Sequence, residues 1–172
     1  MNLSYRKILF AVFLLGIACT GGSFFAQYVM KLNPCPLCIL QRLAVISVML
    51  VSGLCLLLPT AKAGKAGGRI MAASLVSLPA LWGLSVASYQ IWLQSLPADL
   101  QPGCGAPWTF RLKDWPLFDY WQFVVKGFGD CGVREFVFGL PLPVWSLMFF
   151  GCVLLIVWGM LFKLRPASRS GV

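Results

Sequence analysis

Histidine is absent from this chain of 172 residues, and charged residues make up only 11% of it. The absence of histidine removes the usual general base and the commonest metal ligand of proteins. It therefore argues against a histidine-based hydrolase and against a zinc enzyme. Soluble domains usually have about 25% charged residues, whereas hydrophobic residues make up 59% of this chain. We therefore expect one domain that is surrounded mostly by lipid.

Acidic residues are scarce as well, because 5 of them stand against 14 lysines and arginines, a net charge of +9. A basic balance is typical of proteins that bind nucleic acid or a membrane surface. However, no basic run is interleaved with aromatic residues, and the uncharged stretches are far too apolar for a nucleic-acid binder. The composition thus predicts membrane lipid as a partner and no nucleic acid.

Four segments contain no charged residue, and each is long enough for a helix that crosses the ~30 Å hydrocarbon core. We predict membrane-spanning helices near residues 8–26, 38–59, 70–92 and 143–162. Strands are disfavoured because lipid-exposed sheets must close into a barrel. The predicted fold class is therefore an all-α membrane protein, a four-helix transmembrane bundle with one domain over residues 1–172. Small residues four positions apart, Ala18 with Gly22 and Gly83 with Ala87, predict close helix approach.

The charged residues divide unevenly between the two ends of these helices. Basic residues flank the spans on one side: Arg6, Lys7, Lys62, Lys65, Arg69, Lys163, Arg165 and Arg169. All five acidic residues lie in one long loop: Asp99, Asp114, Asp119, Asp130 and Glu135. The positive-inside rule then places both termini in the cytoplasm and the loops 27–37 and 93–142 outside. We interpret the first span as an uncleaved helix rather than a signal peptide.

Aromatic residues are concentrated in the second of these outer loops. The segment Leu117–Phe128 is rich in them, and such a segment is typical of a short helix lying in the headgroup region. We therefore predict an interfacial helix there.

The seven cysteines are the only conspicuous reactive residues of the chain. Three of them, Cys19, Cys55 and Cys152, fall inside spans, where free cysteines usually pack as small hydrophobes. The other four lie on the outer side: Cys35, Cys38, Cys104 and Cys131. An oxidising compartment would let them pair, and four cysteines allow three connectivities. The spacing suggests pairing within 35/38 and within 104/131.

The Cys35-x-x-Cys38 motif has several interpretations: a redox pair, half of a zinc site or a structural disulfide. A short loop of this kind constrains little chain entropy, so it suits exchange better than bracing. Pro34 and Pro36 suit a helix start, which would place Cys38 in the first turn, where the helix dipole favours a thiolate. Arg42 shares a helix face with Cys38. Its guanidinium either extends to the headgroups or holds a polar cofactor head or the thiolate.

An electron acceptor for such thiols has to come from elsewhere. The sequence has no haem motif, no glycine-rich dinucleotide loop and no iron–sulfur cysteine cluster. A lipid-soluble quinone, whose carbonyls could accept hydrogen bonds from Arg42, is the acceptor that remains.

The motif resembles that of a known family. Residues 33–42, Asn-Pro-Cys-Pro-Leu-Cys-Ile-Leu-Gln-Arg, resemble the Pro-Cys-x-x-Cys-x-x-x-Arg signature of disulfide bond formation protein B, the DsbB family. Further matches follow in family order: Trp92-Leu93-Gln94, Cys104, Gly129-Asp130-Cys131 and Pro143-Val144-Trp145. The likeness extends from the first span to the fourth.

The resemblance implies a multi-pass oxidoreductase of the bacterial inner membrane, with its redox cysteines in the periplasm. A reduced thioredoxin-fold thiol oxidase, DsbA-like, would attack Cys104. Electrons would pass from Cys104/Cys131 through a transient Cys35–Cys131 bridge to Cys35/Cys38, and then to ubiquinone or menaquinone beside Arg42.

Two glutamines are further candidates for contacts with the cofactor, Gln90 and Gln94. The family often has a histidine where this chain has Gln90. A glutamine can donate a hydrogen bond but cannot carry a proton charge as imidazolium does.

Two rival interpretations remain. A vitamin K epoxide reductase type of enzyme also uses four outer cysteines, but its Cys-x-x-Cys lies on a late span. Alternatively, the chain could be a non-enzymatic four-span protein whose disulfides brace the outer loop.

Overall fold

The computed structural model describes residues 3–57, 66–103, 105–116 and 118–163. Within these residues, the regular structure consists of six α-helices, one 3-10 helix (Ala98–Leu100) and one short hairpin. The helices are α1 (Leu3–Tyr28), α2 (Pro36–Leu57), α3 (Ala66–Ser95), α4 (Trp108–Arg111), α5 (Phe118–Val125) and α6 (Leu142–Lys163). The antiparallel strands β1 (Phe136–Val137) and β2 (Leu140–Pro141) pair directly before α6.

Four of the helices, α1, α2, α3 and α6, are long and apolar enough to cross a membrane. They confirm the predicted all-α, four-helix fold class. Observed helices extend beyond the predicted apolar segments, as in α3, which begins at Ala66 and ends at Ser95. Pro79 lies inside α3 without ending it.

The helices pack in the order α1, α2, α3, α6, and α1 barely touches α6. The core lies between them and is built from buried apolar side chains such as Leu9, Val48, Val76 and Phe150. Many large apolar side chains point outward instead, among them Leu155 at 75% exposure. Apolar surface of this kind is stable where lipid rather than water surrounds the helices.

Glycines show where the predicted close approaches occur. A Cβ at Gly83 would collide with the ring of Phe150, so α3 and α6 meet closely there as predicted. A Cβ at Gly22 would meet nothing within 4 Å, so the predicted close approach at Gly22 is wrong. The α1 glycine that does approach another helix is Gly16, next to Met49 of α2.

The long loop between α3 and α6 carries the two short helices and the hairpin. Helix α5 lies within the segment that the sequence predicts to be helical. The hairpin turns at Phe138 and Gly139, both of which have positive φ. Phe138 at its tip is 94% exposed.

Candidate functional site

Cys35 and Cys38 lie where the chain enters α2. The helix begins at Pro36, which has no N–H to leave unpaired, and Cys38 is in its first turn as predicted. The two sulfur atoms are 3.1 Å apart, and the Cys35 thiol donates to Cys38 Sγ. Both residues are free thiols. The hydrogen bond to Cys38 and the burial of Cys35 raise the pKa of the Cys35 thiol.

Gln90 of α3 lies directly beside both sulfur atoms. Its Nε2 is 3.3 Å from Cys35 Sγ and 3.3 Å from Cys38 Sγ. Its Oε1 accepts a hydrogen bond of 2.7 Å from Nε2 of Gln41 on α2. The two glutamines are 2% and 3% exposed. The structure thus places an amide donor against the cysteine pair.

Cys131 is fully buried and belongs to one packed cluster with Cys35 and Leu93, against which Cys38 also packs. Cys131 is in a disulfide bond. Gln94 Nε2 donates to the carbonyls of Cys131 at 3.2 Å and Val133 at 3.1 Å. These bonds hold the Cys131 segment against α3, so Gln94 is engaged with the loop backbone.

The Cys131 segment also packs tightly on the turn before α2. Phe128 N donates to Asn33 Oδ1 at 3.0 Å, and Gly129 N donates to the Pro34 carbonyl at 3.3 Å. A Cβ at Gly129 would collide with the Asn33 carbonyl oxygen. Glycine at this position therefore permits the approach that brings Cys131 to Cys35.

Cys104, the fourth predicted site residue, lies outside the described residues. Four positions further along the chain, Trp108 Nε1 donates to the Pro36 carbonyl at 3.1 Å. The long loop is therefore attached to the start of α2 at Trp108. Arg111 stacks over the Trp108 ring at 5.1 Å.

Arg42 is 5% exposed and lies one helical turn below Cys38. Its Nε donates to Ser23 Oγ at 2.7 Å, and its Nη1 donates to the Val124 carbonyl at 3.2 Å. The guanidinium also lies 4.8 Å from the centre of the Phe24 ring. These contacts join the side chain to α1 and to α5. None of its hydrogen bonds to described residues uses Nη2.

A cavity of about 660 Å³ lies between α1 and α6, which touch each other only slightly. Its wall is mostly apolar and includes Gly22 and Phe149. Its polar residues include all of the predicted site residues within the described parts of the chain except Cys131: Cys35, Cys38, Arg42, Gln90 and Gln94. Two further polar atoms on the wall, Thr20 Oγ1 and Gln27 Oε1, are buried without a hydrogen-bond partner among the described residues.

The cysteines inside the spans are free thiols. Cys55 is buried in the core, as its interpretation as a packing residue predicts. Cys19 also packs against that core, and both Cys19 and Cys152 contribute to the cavity wall.

Two residues of the site were missed by sequence reasoning. Gln41 is a buried amide within an apolar helix, one turn after Cys38, and that isolated polarity was an available signal. Ser23, the partner of Arg42, had no comparable signal, because small polar residues are common in membrane helices.

Comparison with known proteins gives a consistent result. The profile of the family described as disulfide bond formation protein DsbB matches residues 5–160. Disulfide bond formation protein B of Neisseria meningitidis serogroup B is 47% identical over 154 residues, which cover 90% of this chain and 93% of that protein. The proteins of the same name from Chromobacterium violaceum and Acinetobacter baumannii are 42% and 33% identical, over 92% and 99% of this chain and 92% and 98% of their own lengths.

The family match, the four helices able to cross a membrane and the paired thiols all indicate the same kind of protein. The chain belongs to the DsbB family, and it is a membrane protein with an oxidoreductase role in disulfide bond formation.

Proposed function

We propose that this protein reoxidises a periplasmic, thioredoxin-fold dithiol oxidase of the DsbA type and transfers the electrons to a quinone in the bacterial inner membrane. One observation carries the proposal. Cys35 packs with Cys131 on one side and lies 3.1 Å from Cys38 on the other, and Cys38 lines the apolar cavity. Cysteines thus lie next to one another from the long loop to an apolar cavity, which supports a relay between them.

The first half of the cycle is thiol–disulfide exchange. A thiolate of the reduced partner attacks Cys104 in the Cys104–Cys131 disulfide, and Cys131 leaves as a thiolate. The second partner thiol then attacks the mixed disulfide, which releases an oxidised partner and leaves Cys104 reduced. Two electrons and two protons have passed to the outer pair.

The second half returns the outer pair to its disulfide. Cys131 attacks Cys35 in the Cys35–Cys38 disulfide, and Cys38 leaves as a thiolate. Cys104 then attacks Cys131 in the transient bridge, which restores the outer disulfide and releases Cys35. The Cys35–Cys131 step is supported by the packing of these two residues in one buried cluster.

The inner dithiol then loses two electrons and two protons and becomes a disulfide again. Because the Cys35 thiol donates a hydrogen bond to Cys38 Sγ, a negative charge on Cys38 would be stabilised by its neighbour, and that charge would face the cavity. A quinone, ubiquinone or menaquinone, supplies a two-electron, two-proton acceptor when bound.

The cavity residues fit such a molecule. An apolar wall suits an isoprenoid tail, and the unpartnered Thr20 Oγ1 and the free Nη2 side of Arg42 suit polar ring oxygens. Gln90 and Gln94 also line the cavity, so contact of both with the cofactor stays a prediction. Their hydrogen bonds support a second role for each, Gln90 at the sulfur atoms and Gln94 in anchoring Cys131.

The direction of transfer requires the cysteines to lie on the periplasmic side. The basic residues Arg6 and Lys7 lie in α1 at the end opposite the cysteines. The positive-inside rule then supports cytoplasmic termini and periplasmic loops.

The direct test is quinol formation by the purified protein in liposomes that contain ubiquinone or menaquinone, with a reduced DsbA-type oxidase supplied outside. We expect one quinol for each partner disulfide formed. Failure of the unaltered protein to form quinol from either quinone would overturn the proposal.

Arg42→Ala is expected to raise the apparent KM for quinone about tenfold or more, because a charged hydrogen-bond donor to the ring is lost. Exchange between the two cysteine pairs should remain. The measurement is quinol formation against quinone concentration, with Arg6→Ala, an exposed arginine on α1, as control. An unchanged KM in the Arg42 variant contradicts its role at the cofactor.

Gly22→Leu is expected to weaken quinone use about tenfold or more, since the new side chain would occupy the cavity. The matched control is Gly21→Leu. Both glycines have open space at Cβ, but only Gly22 contributes to the cavity wall. Equal quinone KM values in the two variants would mean that quinone binds elsewhere.

A further inference from the structure

The two buried glutamines beside the cysteine pair form a chain of hydrogen bonds that the relay described above does not require. Gln41 Nε2 donates to Gln90 Oε1 at 2.7 Å, and Gln90 Nε2 faces both sulfur atoms at 3.3 Å. Among the described residues Gln41 makes no hydrogen bond to either sulfur atom, so its link to them in this geometry runs through Gln90.

The direction of this chain follows from the chemistry of the amide group. One end of a glutamine side chain donates and the other accepts. In the neutral dithiol the Cys38 thiol also donates to Gln90 Oε1 at 3.7 Å, and that contact is lost when Cys38 ionises. Because Gln41 still donates to Oε1 of Gln90, the N–H groups of Gln90 are left to point toward the sulfur atoms. The opposite orientation would direct a carbonyl oxygen at a sulfur that becomes negative, which is unfavourable in a buried site of low dielectric.

We propose that Gln41 is a positioning residue that holds the Gln90 amide with its N–H groups toward Cys35 and Cys38, so that a pair of neutral amides stabilises the sulfur anion of the reduced motif. The inference rests on the proposed role of Cys38 as the sulfur that faces the cavity. Hydrogen bonds to an ionised acceptor are about twice as strong as neutral ones. The orientation of Gln90 therefore matters most in the reduced, reacting state.

The test measures Cys38 itself, without quinone or partner. Reduced, quinone-free protein is alkylated with iodoacetamide at neutral pH, and mass spectrometry follows the rate at Cys38. The variants are Gln41→Met, Gln90→Met and the double variant. Each replaces one uncharged side chain with another, so the other ionisable groups of the cavity wall, Arg42, Asp130 and Glu135, are unchanged.

We expect alkylation of Cys38 to slow about tenfold in Gln90→Met and by several-fold to tenfold in Gln41→Met. The double variant should be no slower than Gln90→Met, because a residue that acts only through Gln90 loses its effect when Gln90 is absent. A Gln41→Met rate equal to or above that of the unaltered protein would overturn the proposal. The proposal would also be overturned if the rate in the double variant fell by the product of the two single losses, because Gln41 would then act independently of Gln90.

Two controls separate this effect from misfolding. Gln122→Met on α5 lies outside the cavity wall and should leave the rate unchanged. Cys55 is buried in the core, so its alkylation reports a variant that has lost its packing. If Cys55 is alkylated in Gln41→Met, Gln41→Asn replaces that variant. Asparagine keeps a buried amide that is too short to reach Gln90, and the same criteria apply to its Cys38 alkylation rate. A failure of quinone reduction would leave these rates unaffected.

Discussion

Cys38→Ser is expected to abolish quinol formation, with a loss on the order of a thousandfold or more, as for removal of a reacting nucleophile. Serine cannot form the disulfide whose formation releases the electrons. Cys35, left as a free thiol, can attack Cys131 in the Cys104–Cys131 disulfide and release Cys104 as a thiolate, because Cys35 and Cys131 lie in one buried cluster. The Cys35–Cys131 bridge should therefore accumulate, and peptide mapping without reduction detects it.

The same variant should lose any visible absorbance that the purified protein owes to bound quinone beside Cys38. Cys55→Ala serves as control, because Cys55 packs in the core away from the cavity. Quinol formation by the Cys38 variant at more than a small fraction of the normal rate would show that the electrons leave by another sulfur.

Cys104→Ala is expected to eliminate the mixed disulfide with the soluble thiol oxidase, with a comparably complete loss of partner oxidation. Without Cys104 there is no Cys104–Cys131 disulfide for the partner thiolate to attack, and Cys131 itself is fully buried. Trapping with acid and a thiol-blocking reagent, followed by non-reducing gels, measures the complex.

The matched comparison is Cys131→Ala, which leaves Cys104 as a free thiol able to bond to the oxidised partner. We expect that variant to form a complex with oxidised partner, and Cys104→Ala to form none in either redox state. A small dithiol supplied directly to the inner pair should still support quinol formation in Cys104→Ala. If Cys104→Ala formed the complex in normal yield, the partner would have to attack a cysteine other than Cys104.

The main elements of the fold could be predicted from the sequence because each depends on local composition. Uncharged segments long enough to cross a bilayer become helices, since backbone groups in lipid must be paired within their own segment. Pro36 marks the observed start of α2 for an equally local reason, the absence of its N–H. Helix ends such as Ser95 were less predictable, because apolar composition stops before helical hydrogen bonding does.

Packing between helices was predicted only in part. Gly83 does lie where two helices approach closely, whereas Gly22 faces open space and forms part of the cavity wall. Spacing of small residues cannot distinguish the two cases, because it contains no information on which helix lies opposite. That depends on the order of packing, in which α1 and α6 touch only slightly.

By itself, the sequence determined the class of this protein, its four membrane helices and the chemistry available to it, because hydropathy, cysteine spacing and the position of Arg42 are properties of short segments. Only the tertiary structure decided which groups meet. It brings Cys131 to Cys35, Gln41 to Gln90 and Ser23 to Arg42. The physical reason is that these partners come from different helices or from the loop, and hydrogen bonds and burial act between them only after the helices have packed.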